Sequence, residues 1–186
     1  MKGTILRWSL ILAVVVASVM VSAPLAVRPV AAATIRIPVD NYNVNCAILS
    51  QTVWISEGGI LHIRDRVMEG MVLSDGDYHQ GTGHMVANAN IDLATMYGSY
   101  WGTLEIYPYA YPDGHWAGSF AMQVNEGKAS GIARLQGYGE LNGLATKSEL
   151  TPLTPTELAA YAYLCGGMQP ISGAHAVGFV MDPGGE

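Results

Sequence analysis

From residue 34 onward apolar and polar side chains alternate at period two over most of the chain, and the alternation breaks wherever Gly, Pro, Asn or Asp cluster. Thr34-Ile-Arg-Ile-Pro-Val39 reads as a first strand, with Pro38 marking a strand end or an edge. Asn41-Tyr-Asn-Val-Asn45 is turn-rich. Thr52-Val-Trp-Ile-Ser56, Glu57-Gly-Gly59 and Ile60-Leu-His-Ile-Arg64 follow as strand, turn and strand. A further strand over Val67 to Leu73 ends at Ser74-Asp-Gly-Asp77. Strands near Tyr78 to Ala89, Tyr97 to Tyr107, His115 to Val124, Lys128 to Gly137 and Glu140 to Ala145 continue the pattern.

Glycine stands beside aromatic residues three times in the second half, in Gly98-Ser-Tyr-Trp-Gly102, His115-Trp-Ala-Gly118 and Gly137-Tyr-Gly-Glu-Leu-Asn-Gly143. Glycine within a strand pattern marks a bulge, a tight bend or a close approach of neighbouring backbone, the devices by which a sheet curls. Trp101 and Trp116 are therefore expected on packed strands. One helix is predicted late. Thr154 serves as N-cap, Pro155 as first helical residue and Glu157 as the partner in a capping box; Leu158, Tyr161 and Leu164 share a face, and Gly166-Gly167 supplies the stop. Gly173 to Val180 returns as a strand. About eight to ten short strands and one short C-terminal helix predict a mainly β protein, a single antiparallel β-barrel, because closure removes sticky strand edges.

The first 33 residues have the form of a secretory signal: Lys2 and Arg7, an apolar run from Ser9 to Ala23, and Ala31-Ala32-Ala33 as a small-residue cleavage site. Cleavage after Ala33 leaves a barrel domain over residues 34–186, a secreted or periplasmic chain with no membrane attachment. An uncleaved anchor is the alternative, since Trp8 to Val27 is almost wholly apolar. The mature part carries six Lys and Arg against fifteen Asp and Glu, formally −9. That balance argues against nucleic acid and anionic membranes as partners. Its two cysteines, Cys46 and Cys165, allow one intramolecular disulfide in an oxidising compartment.

Catalytic signatures are missing. The chain has no Gly-x-Ser-x-Gly elbow and no Ser-x-x-Lys, and its glycines sit within strand patterns where no phosphate loop forms. No cofactor is expected. Asp75, Asp77 and His79 fall at period two, but the Asp-Gly step favours a plain hairpin loop, and no metal site is expected. His62 and Arg64 share one face of their strand; inside the barrel they would form a basic patch, whereas the alternation places Leu61 and Ile63 inside. Glu105 is ambiguous in the same way, and an inward Glu105 could act as an acid or base. The best candidate for binding is Tyr107-Pro-Tyr-Ala-Tyr-Pro112, in which Tyr107, Tyr109 and Tyr111 alternate toward one side as a stiff platform at a barrel end, with Trp116 close behind.

Cys46, Leu61-His62, Trp101-Gly-Thr103 and Gly137-Tyr-Gly-Glu-Leu-Asn-Gly143 together resemble a group of uncharacterised secreted bacterial β-proteins. The glycine-spaced half is similar to barrels of the allene oxide cyclase-like and dirigent kind. The resemblance spans Val44 to Leu150 and implies a barrel; it carries no catalytic residue. The expected function is binding of a small apolar or carbohydrate ligand without catalysis. The alternatives are an isomerase or cyclase using a polar group inside the barrel (Glu105, His62, Arg64), and a structural or protein-interaction module with a filled core. Oligomeric state is not readable from the sequence.

Overall fold

A computed structural model describes residues 34–183; the expected signal sequence lies outside them. Eight strands follow one another: β1 (Ile35–Ile55), β2 (Ile60–Ser74), β3 (Gly81–Asp92), β4 (Tyr97–Pro108), β5 (His115–Asn125), β6 (Lys128–Tyr138), β7 (Ala145–Pro152) and β8 (Ser172–Asp182). Each pairs antiparallel with the next, and β8 returns to pair with β1 from Ile35↔Asp182 to Asn45↔Ser172. The sheet is thus a closed up-and-down barrel.

Three expectations need correction. Asn41 to Asn45 is no turn but the middle of the 21-residue β1, paired to β2 on one side and β8 on the other. Pairing on both sides satisfies the backbone that a turn would otherwise use, and the asparagine amides project away from the ladder. The two short strands expected over 60–64 and 67–73 are one bent β2, in which the register slips between Ile63 and Arg66 and Asp65 has φ 48°. This bulge keeps Ile63 and Arg66 on the same face although they stand three apart. Glu140 to Ala145 is not a strand: Gly139–Leu141 form a 3₁₀ turn, and β7 starts only at Ala145.

Glycines curl the sheet where the sequence placed them. A Cβ at Gly102 would stand 1.9 Å from the Val86 carbonyl oxygen, and one at Gly118 would stand 2.1 Å from that of Arg134. Only hydrogen fits between strands that approach so closely.

The predicted helix, α1 (Pro155–Ala160), is short and passes into a 3₁₀ turn at Ala162–Cys165. Its capping box is complete: the Thr154 hydroxyl accepts from the Glu157 N–H at 3.3 Å, and the Glu157 carboxylate accepts from the Thr154 N–H at 2.7 Å. Leu158, Leu153 and Cys165 pack on Val44 on the outer side of β1, as a cluster separate from the barrel core. Cys46 and Cys165 form the expected disulfide, Cα to Cα 5.2 Å, and fasten this segment to β1.

Candidate ligand-binding cavity

Strict alternation along an up-and-down barrel sends every second side chain inside. Met68 and Val72, Leu104 and Ile106, Trp116 and Phe120, Leu135, Ala176 and Val180 form the interior, all buried. The antiparallel order places the connections 75–80, 109–114 and 139–144 at one end. The turns 56–59, 93–96 and 126–127 and the long 153–171 connection lie at the other.

The first end is plugged. Trp116, fully buried, donates its indole N–H to the Tyr78 carbonyl at 2.7 Å, and His79 stacks on it with ring centroids 5.0 Å apart. Tyr78 stacks in turn on Tyr111, and Leu141 closes the core behind them. His79 is 1% exposed, and neither ring nitrogen has a hydrogen-bond partner. Burial alone pulls its pKa down to about 4, so the imidazole is neutral at physiological pH.

Toward the other end the interior is hollow. A cavity of about 260 Å³ is walled by Ile63, Met85, Leu104, Phe120, Met122 and Leu150, with Gly83 and Ala89 leaving the space that larger side chains would take. Tyr100 and Arg66 add polar groups to the wall, and the Arg66 Nε donates to Gln51 Oε1 at 2.8 Å. Burial raises the Tyr100 pKa, with the Arg66 charge opposing it, so its hydroxyl stays protonated. Asn43, Leu104 and Leu150 also border a second, smaller cavity deeper in the barrel.

The side chains singled out from the sequence lie elsewhere. None of Tyr107, Tyr109, Tyr111, Trp116, His62, Arg64 and Glu105 lines the 260 Å³ cavity. His62, Arg64 and Glu105 face outward, because the alternation turns Ile63, Leu104 and Ile106 in. The Arg64 guanidinium sits between the rings of Trp54 and Trp101, 5.5 and 5.4 Å from their centroids. It donates to the carbonyls of Ile63 and Ala89 and to Asn90 Oδ1, each at 2.7 Å. His62 stacks on Trp54 and meets the same Asn90 oxygen at 2.8 Å. These groups hold one another on the barrel's outer wall. Glu105 accepts a hydrogen bond from the Tyr107 hydroxyl at 2.6 Å, which raises the tyrosine's pKa.

The three tyrosines do not share a side, contrary to the platform expected from their spacing. Tyr107, next to last in β4, stacks outside on His115, which stacks on Tyr138. Tyr109 is 61% exposed, while Tyr111 turns inward to pack on the core. The turn chemistry of Pro108 and Pro112 interrupts the period of two on which the common direction depended. Trp101 and Trp116 do lie on strands as expected, Trp101 outside and Trp116 inside.

The interior residues that the sequence pattern did not single out are Asn41, Asn43, Arg66, Tyr100, Thr146 and Ser148; His79, assigned there to a hairpin loop, is interior as well. A signal existed for the first two: Val39-x-Asn41-x-Asn43-x-Asn45 keeps period two through the stretch read as a turn.

No protein-family model, no curated protein and no solved structure matches the chain. Among the described residues no three His, Cys, Asp or Glu side chains converge as a metal site would require.

Proposed function

We propose that this chain is an exported protein that binds a small, predominantly apolar ligand inside its barrel, without catalysis. One observation carries the reading: a closed barrel keeps a 260 Å³ apolar cavity at one end while the other end is filled by Trp116, His79 and Tyr111. An interior packed for stability alone would be filled throughout, since each unfilled space forfeits packing energy. Small side chains at Gly83 and Ala89 face bulky ones and leave the hollow between them. Export is supported by the signal-like leader and by the disulfide. Among the described residues no helix is long and apolar enough to cross a membrane.

The test is titration of the mature protein with anilinonaphthalene sulfonate, followed by displacement with a panel of lipids, phenolics and oligosaccharides. Lipids or phenolics should displace the dye. Gly83→Leu should abolish binding while leaving the fold intact, because the atoms nearest a Cβ at Gly83 are the Val72 methyl at 3.4 Å and the Glu105 carbonyl oxygen at 3.9 Å, and the added side chain would enter the cavity. Displacement by oligosaccharides alone, or binding that survives Gly83→Leu, would move the site to the barrel's exterior, where Tyr109 and Tyr163 are among the exposed rings.

A further inference from the structure

Beyond the apolar cavity, the barrel encloses a space of about 20 Å³ bordered by Asn41, Asn43, His79, Thr146 and Ser148. Five buried atoms around it have no hydrogen-bond partner: the amide oxygens of Asn41 and Asn43, both ring nitrogens of His79, and the Thr146 hydroxyl. Asn41, His79 and Thr146 are 3%, 1% and 4% exposed. Unpaired polar groups at such depth cost stability unless something meets them. We propose that this cluster is the recognition site for a single neutral hydroxyl at the inner end of an otherwise apolar ligand, whose body fills the larger cavity. The proposal rests on the ligand-binding reading of that cavity and names the polar group the ligand must carry.

Size, chemistry and charge agree. The space holds about one water or one hydroxyl, and Asn43, Leu104 and Leu150 border both cavities, so the smaller lies next to the larger across these side chains. The asparagine oxygens only accept, neutral imidazole offers one donor and one acceptor, and threonine offers both. A hydroxyl donates to an amide oxygen and accepts from His79 or Thr146. An ether or ketone could only accept and would leave the amide oxygens unpaired. Among the described residues no Lys or Arg borders the small space, so a carboxylate there would be buried without a countercharge. The cationic wall residue, Arg66, lines the larger cavity, and an acid would be held head-outward beside it. Water alone is the competing occupant: with two donors it serves both amide oxygens where a hydroxyl serves one, and the comparison of alcohol with ether decides between them.

Decanol, decyl methyl ether and decanoate share one apolar chain and separate these cases. Their binding to the mature protein is measured by displacement of anilinonaphthalene sulfonate, with the imidazole nitrogen shifts of histidine-labelled protein recorded in parallel. The His79 signals are assigned through His79→Phe. Decanol should bind roughly tenfold tighter than the ether and move the His79 shifts, whereas decanoate should bind without moving them. Thr146→Val and His79→Phe, both close in shape to the native residue, should bring the ratio of alcohol to ether toward one while the apolar chain still binds. Equal binding of alcohol and ether, or His79 shifts that stay put when decanol binds, would overturn the proposal and leave the cluster to water. Decanoate moving His79 as decanol does would overturn the choice of a neutral group. If none of the three binds, the reading of the larger cavity fails, and the hydroxyl site fails with it.

Discussion

His79 lies nearly parallel to Trp116 inside the barrel, the two planes 15° apart, and its ring nitrogens meet no partner. Burial favours the neutral imidazole. The unfolded chain takes up a proton at this residue near pH 6.5, the folded chain only near pH 4. Between those values protonation favours the unfolded state, so stability is unaffected by His79 above about pH 6.5 and is lost as the pH falls toward 4. The loss should reach about 3 kcal/mol. Denaturant unfolding of the wild type and His79→Phe at pH 7 and pH 4.5 checks this: the variant should lose less stability across the interval, and parallel losses would mean that His79 is hydrated in the folded state.

The Cys46–Cys165 bridge spans 119 positions of sequence and joins β1 to the turn after α1. Closing so long a loop restricts the unfolded chain, and the bridge should contribute about 4 to 5 kcal/mol on the chain-entropy view. Non-reduced mass spectrometry should find no alkylatable thiol. Guanidinium unfolding with and without reductant should differ by several kcal/mol; a difference below about 1 kcal/mol would show that the unfolded chain is already constrained there.

Two inward glycines of the paired strands β3 and β4 should respond oppositely to a methyl group. At Gly102 the new Cβ meets the Val86 carbonyl at 1.9 Å, so Gly102→Ala must push β3 and β4 apart and should cost more than about 2 kcal/mol. At Gly83 the nearest atom is a Val72 methyl at 3.4 Å, so Gly83→Ala should lie within about 1 kcal/mol of the wild type. Comparable melting temperatures for these variants would contradict the close strand approach at Gly102.

Tyr109 and Tyr111 should separate in the same way. Tyr111 packs against the core and on Tyr78 at a centroid distance of 5.6 Å, so its truncation to Ala should cost about 2 to 3 kcal/mol. Tyr109 is largely exposed, with its hydroxyl 3.8 Å from the Met71 sulfur, and Tyr109→Ala should stay within about 0.5 kcal/mol. Thermal melts of the single variants decide this. Equal, small effects would restore a loop in which neither ring belongs to the core.

Local chemistry was legible where it acts locally. The period of two, the Thr154–Glu157 capping box, the glycines next to Trp101 and Trp116 and the lone pair Cys46 and Cys165 each carry their meaning within a few residues or by simple pairing. They yielded the strands, the helix start, the curled barrel and the disulfide. Leu61 and Ile63 likewise placed His62 and Arg64 outside by alternation, while Glu105 stayed ambiguous until Leu104 and Ile106 were seen to point in. What the sequence could not decide was which end of the barrel is filled. That depends on His79 and Tyr111, which stand in connections where no period governs direction, and both enter the core only because Trp116 and Tyr78 from distant segments offer them faces to stack on. Asn41 and Asn43 looked like turn residues because polarity was read one segment at a time. Only the closure of β8 on β1 puts their amides inside, beside His79 and Thr146. A cavity and its polar end are properties of eight strands meeting, and no single strand carries either.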